Sequence, residues 1–150
     1  MNLAYLDTGP LGRISNPRAT SENLRYRAWA RSLVAAGFRV VVPEIADYEV
    51  RRELFRVGAT SGLARLDLVK ASFHYAPLTT DTMLRAAELW ADVRRRGMPT
   101  AAPDALDGDA ILAAQALVGA GPGDLVIVAT DNVGHLARFV DARIWDQIVP

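Results

Sequence analysis

Short apolar runs alternate along this chain with longer stretches of helical periodicity, and that alternation restricts the fold more than any single residue does. The clearest run, Leu125-Val126-Ile127-Val128-Ala129, is continuous enough for a strand buried on both faces. Leu3 to Leu6 and Arg39 to Val42 have the same character. Phe73 to Leu78 is expected as a third strand and Ala142 to Trp145 as an edge strand. Thr20-Ser21-Glu22 offers a cap for a helix over Leu24 to Ala36 that Gly37 ends. Pro43 stops the second strand and opens a helix through about Val57, because proline is tolerated in a first helical turn. Thr60-Ser61 can cap a helix to about Lys70, and Thr80-Asp81 a long one over Met83 to Arg96. A loop over Met98 to Leu106, containing Pro99 and Pro103, leads into a helix that begins at Asp107-Gly108-Asp109 and ends before Gly119 to Gly123. A short helix is expected near His135 to Phe139, whereas Asp7-Thr8-Gly9-Pro10 reads as a turn. Strands alternating with helices require right-handed crossovers, hence an α/β fold of three layers, α/β/α, around a mostly parallel sheet of about five strands.

With 150 residues and 51% hydrophobic content, the chain is expected to form a single domain over residues 1–150. Positive and negative residues cancel, so bulk charge implies no polyanionic partner. Without cysteine there is no disulfide, thiolate nucleophile or cysteine-based zinc site, and His74 and His135 are too few for a zinc site of several imidazoles. The apolar runs fall far short of the roughly 20 residues that span a bilayer. No basic leader or cleavage site precedes the first strand, so a soluble, cytoplasmic protein with no membrane association is expected.

Acidic residues recur where elements begin or end: Asp7, Glu49, Asp107, Asp109 and Asp131. Carboxylates far apart in sequence that return to one edge of a sheet repel one another unless a cation lies among them. In open parallel sheets ligands bind beyond the carboxyl ends of the strands, where the strand order reverses, and Asp7 and Asp131 both follow strands. Hard oxygen donors with few imidazoles favour Mg2+ or Mn2+, and such an ion suits phosphodiester hydrolysis. Neither a Gly-x-x-x-x-Gly-Lys-Ser/Thr loop nor a Gly-x-Ser-x-Gly elbow is present. A phosphatase with an aspartate nucleophile needs a second aspartate two residues on, where this chain has Gly9. A receiver-type signalling domain needs adjacent early acids and a late lysine, and the lone lysine is Lys70.

Four segments in this order carry a resemblance: Tyr5-Leu6-Asp7-Thr8-Gly9-Pro10-Leu11, Val42-Pro43-Glu44-Ile45-Ala46-Asp47-Tyr48-Glu49-Val50, Asp107-Gly108-Asp109-Ala110-Ile111-Leu112-Ala113-Ala114, and Val128-Ala129-Thr130-Asp131-Asn132. Together they resemble a PIN domain, with the VapC-like toxin nucleases as the nearest subset. The resemblance implies a PIN-like fold and metal-dependent cleavage of RNA, with Asp7, Glu49 and Asp109 as primary ligands. It also implies, for a toxin, an antitoxin whose tail blocks the site. The fourth acid of the family usually lies two residues after the threonine, where this chain has Asn132. Asp131, the amide oxygen of Asn132, or a water is therefore left to complete the shell, and Asp107 is a further candidate for a second ion. Thr8 and Thr130 are expected to orient ligands or bind phosphate.

Plainer roles compete at each position. Asp7 suits a strand-end turn, Glu49 an ion-paired helix face with Arg52 and Glu53 nearby, and Asp109 or Asp107 a helix start. Glu44, Asp47 and Asp104 read as surface or capping residues. Sixteen of the 17 basic residues are arginine. Arg51 and Arg52, beside Glu49, are candidates for RNA contact, although genome composition also accounts for such a bias. Trp29, Trp90 and Trp145 suit packing better than base stacking. A non-catalytic alternative is a PIN-like RNA-binding module whose metal site is weak or inactive. A homodimer is compatible with either reading.

Overall fold

The computed structural model describes residues 1–97 and 106–150. The loop expected through Pro99 and Pro103, and Asp104 with it, lies outside the described residues. Strand β1 (Asn2–Leu6) is followed by α1 (Thr8–Ser15) and α2 (Ser21–Ala35), then β2 (Arg39–Pro43), α3 (Glu44–Val57), α4 (Thr60–Ser72) and β3 (His74–Ala76). Helices α5 (Thr80–Arg95) and α6 (Asp107–Gly119) precede β4 (Leu125–Thr130) and β5 (Ala142–Ile144), with single 3-10 turns at Leu136–Arg138 and Trp145–Gln147. Every strand pairing is parallel, and the order across the sheet is β3-β2-β1-β4-β5. The sequence therefore gives each strand within a few residues. The short helix expected near His135 is a 3-10 turn.

Side-chain alternation divides the interior in two. Ala4, Leu6, Val40, Val42, Ile127 and Ala129 face one core, which α1, α2, α3 and α4 close with Leu11, Leu33, Val50 and Leu66. Leu3, Tyr5, Val41 and Val128 face the other, closed by α5 and α6. Alanines on α6 allow that helix to lie close against the sheet: Ala113, Ala114 and Ala116 have no exposed surface. These two cores make the three layers, as expected for strands apolar on both faces.

Three local features depart from the sequence reading. Asp7-Thr8-Gly9-Pro10 does not form a free turn but starts α1. Asp7 is the N-cap, its carboxylate accepting from the Thr8 N–H, and Pro10 falls in the first turn, where no N–H is required. Asp47 is buried rather than exposed, 6% accessible, because the Arg51 fork donates to both of its oxygens at 3.0 and 2.9 Å. Glu44 accepts the Leu78 N–H at 2.7 Å and so fastens the segment after β3 to the start of α3. Buried Gln115 makes a similar tie from α6, accepting from Ile45 N–H at 3.1 Å and donating to the Ala76 carbonyl at 2.6 Å. Trp29 and Trp145 are packed, as expected: Trp145 stacks on Tyr26 with centroids 3.9 Å apart and meets Trp29 edge-on at 5.5 Å. Among the described residues, no helix is long and apolar enough to cross a membrane.

Candidate active site

Strands β1 and β4 run side by side with Leu6 opposite Ala129, so the residues that follow them emerge together. The Asp7 N–H donates to the Ala129 carbonyl at 2.9 Å, extending the ladder by one bond. Thr130, 1% exposed, then donates its hydroxyl to Asp7 Oδ2 at 2.7 Å and accepts the Asn132 N–H at 3.1 Å. Asp7 Oδ1 accepts the Thr8 N–H at 2.8 Å. Both carboxylate oxygens are thus oriented, one by each neighbouring element. The strand order reverses here: β2 and β3 lie to one side of β1, β4 and β5 to the other. This is the crevice where open parallel sheets bind ligands.

Two more acids reach the same crevice from helices. Thr8 Oγ1 donates to Glu49 Oε1 at 3.0 Å, joining α1 to α3. A side chain at Gly108 would lie 3.5 Å from Glu49 Oε2, which puts the first turn of α6 against that carboxylate. Asp109, in that turn, has its carboxyl pushed up to about 6, first by burial and then by the charge of Asp7, with Glu49 adding to it and His135 opposing. Asp7, Glu49 and Asp109 therefore share one electrostatic environment although three separate elements carry them. The thermodynamic sign is definite. Folded Asp109 keeps its proton up to about 6 while the unfolded chain releases it near 3.8, so stability falls as pH rises through that window and stays lower above it. Asp109→Asn is expected to raise the melting temperature of chelator-treated protein by a few degrees at about pH 7.5 and to leave it nearly unchanged at about pH 4. Identical pH dependence of melting in the two proteins would contradict the shared environment.

The donors of Asp7, Glu49, Asp109, Thr8 and Thr130 are carboxylate and hydroxyl oxygens, the set that suits a hard divalent cation, which would also offset the repulsion that adds to burial in raising the Asp109 carboxyl. Among the described residues no group of three or more acids or imidazoles is drawn together tightly enough to hold an ion as it stands. Asp7 and Glu49 are turned instead onto Thr130 and Thr8.

The other candidates are placed less uniformly. Asp131 lines a groove of 640 Å³ between α1, α3 and α4, together with Glu49, Arg13 and Arg18. Its Oδ1 accepts the Tyr26 hydroxyl at 2.6 Å, and its Oδ2 occupies the space above Gly9, where a Cβ would fall 2.1 Å away. Burial, then the bond to Asp131, pushes the Tyr26 phenol well above its ordinary range. Asn132 is exposed, and its amide lies over Gly134. Asp107 does not join the acids; exposed on α6, it lines a depression with Met83, Trp90 and Ile111. Arg51 is likewise turned away, bound to Asp47 and, at 2.8 Å, to Asp67. Arg52 stays beside the site, 3.7 Å from Glu49 Oε2, with its guanidinium over the Tyr48 ring. Tyr26 was not foreseen: in an amphipathic helix it reads as core, and its partner is 105 residues away.

No protein-family model matches this sequence, and neither does any curated protein. Solved structures do. A chain of the VapBC2 complex from Rickettsia felis, bound to a DNA fragment from its promoter, superposes with a TM-score of 0.68 at 13% identity, covering 94% of this chain and 97% of that one. VapBC-1 from nontypeable Haemophilus influenzae gives 0.66 at 16%, covering 96% and 98%. DNA-bound VapBC from Salmonella typhimurium gives 0.57 at 18%, covering 97% and 99%. At these identities the likeness establishes the fold, which is the PIN-like α/β/α arrangement that the resemblance in sequence implies.

Proposed function

We propose that this protein is a Mg2+- or Mn2+-dependent endoribonuclease of the VapC-like toxin type, restrained by an antitoxin protein. The observation that carries the reading is the approach of Asp7, Glu49 and Asp109 from β1, α3 and α6 to the edge where strand order reverses. The fold shared with VapBC complexes supports both the toxin assignment and the antitoxin.

In this reading Asp7, Glu49 and Asp109 hold the divalent ion, with Asp131 or Asn132 nearest to completing the set. A bound ion supplies Lewis-acid stabilisation of charge on the phosphoryl oxygens. Thr130 and Thr8 each orient one carboxylate oxygen, of Asp7 and of Glu49, and ion binding draws the acids inward from these held positions. The groove beside Glu49 and Asp131 receives the RNA strand, with Arg13 and Arg18 positioned for its phosphates.

Purified protein is expected to cleave single-stranded RNA with Mg2+ or Mn2+ and to stop on chelation. Thr130→Val, which keeps the shape and removes the hydroxyl, is expected to lower activity by about 10- to 100-fold at limiting metal and by less at saturation. Equal metal dependence in the two proteins would remove Thr130 from the site. The competing reading, an RNA-binding module with a weak metal site, is favoured by the amide at Asn132 and by the loose spacing of the acids. Metal-dependent RNA binding without any cleavage would decide for it.

A further inference from the structure

Away from the acids, a cavity of 210 Å³ opens between α1, α2 and α4, and three guanidiniums line it: Arg27, Arg31 and Arg65. Ala30, Val69 and Phe73 form apolar wall, and among the described residues no carboxylate lines it. Part of this charge has a structural purpose. Arg27 Nη2 donates to the Asn16 and Arg18 carbonyls and Arg65 Nε to the Ile14 carbonyl at 3.3 Å, which complements the negative end of α1. That occupies one nitrogen of each guanidinium. Arg27 Nε is buried without a hydrogen-bond partner, and Arg31 makes neither a hydrogen bond nor an ion pair among the described residues.

Several arginines elsewhere on the chain, which has no net charge, are neutralised by carboxylates. Arg13 pairs with Glu22, Arg51 with Asp47 and Asp67, and Arg143 with Asp141. Arg27, Arg31 and Arg65 line one cavity together, and Arg27 sits below its usual range, first through burial and then through the two like charges. A ligand that relieves this must bring more acceptor oxygens than a single carboxylate has. A phosphate monoester brings three terminal oxygens and close to two charges at neutral pH, and guanidinium forks match its geometry. Apolar walls strengthen such an interaction by excluding water.

We propose that Arg27, Arg31 and Arg65 form an anion pocket between α2 and α4 that takes a phosphate monoester, carried either by a free mononucleotide or by the 5′-phosphorylated end of an RNA chain. The pocket is independent of the acid crevice, so its test is run with chelator present and reads binding alone. Calorimetric titration would compare adenosine monophosphate with adenosine, and a 5′-phosphorylated oligoadenylate with its 5′-hydroxyl counterpart. The phosphorylated member is expected to bind at least about tenfold more tightly. That advantage is expected to disappear in Arg31→Gln, whose side chain is exposed and bonds to no other described residue, and in Arg65→Gln, where melting is read alongside because Arg65 also donates to the Ile14 carbonyl. A preference present in both pairs assigns the pocket to mononucleotides as well as RNA ends; one confined to the oligomers assigns it to RNA ends. Equal binding of phosphorylated and unphosphorylated ligands, survival of the preference in Arg31→Gln, or tighter binding of an aspartate-rich peptide through the same arginines would overturn the proposal.

Discussion

Asp7→Asn is expected to lower metal-dependent RNA cleavage by about a thousandfold, corresponding to about 4 kcal/mol of lost transition-state stabilisation. The substitution keeps the size of the side chain; its one amide oxygen can still accept the Thr8 N–H, while its NH2 can donate to the Thr130 hydroxyl where the carboxylate accepted from it, so the fold should be little affected. What it removes is the charge at the centre of the crevice, the position fixed by both neighbouring elements. Two readouts separate loss of chemistry from loss of structure. Melting of the metal-free variant should match or exceed that of the parent, because repulsion of Asp109 is relieved. Added Mg2+ should stabilise the parent and not the variant. Retention of full cleavage by Asp7→Asn would end the nuclease assignment.

The largest effect on stability is expected at Trp145. Its ring is 7% exposed, stacked on Tyr26 and edge-on to Trp29, whose indole N–H donates to the Ile148 carbonyl at 2.9 Å. Trp145→Ala is expected to cost about 3–5 kcal/mol and to lower the melting temperature by roughly 10 °C. Trp145→Phe, which retains a ring against Tyr26, should lose less than half of that. Because burial is the first cause of the raised Tyr26 phenol and Trp145 covers its ring, the alanine variant is also expected to bring that phenol back toward its ordinary range, visible in the ultraviolet. A loss below about 1 kcal/mol would show that the aromatic cluster is dispensable.

The sheet and most helices were legible because their signals are local. Continuous β-branched runs mark strands buried on both faces, and Gly37 and Gly58 end α2 and α3 where the sequence suggests. Helix α1 was not legible, since Asp-Thr-Gly-Pro has the composition of both a turn and a helix start. What decides between them is the docking of Leu11 and Ile14 into the core. The acids divide along similar lines. Asp107 and Asp109 are two positions apart on a helix, hence about 200° apart around it, so only one of them can face the crevice. The same step separates Glu49 from Arg51, whereas Arg52, three positions on, returns near Glu49. Periodicity alone could have sorted these pairs once one member was oriented. Asp131 with Tyr26, Gln115 with Ile45 and the Arg27 cluster depend on partners brought from other elements, and no spacing in the sequence encodes them.

The all-parallel strand order also bears on synthesis. As the nascent chain leaves the ribosome, β1 can pair with β2 long before β4 exists, so its other edge stays unpaired until Leu125–Thr130 emerges. Thr130, which grips Asp7, arrives with that strand. A translation product that stops short of it would carry a sticky open edge and a loose Asp7, and so be prone to aggregate.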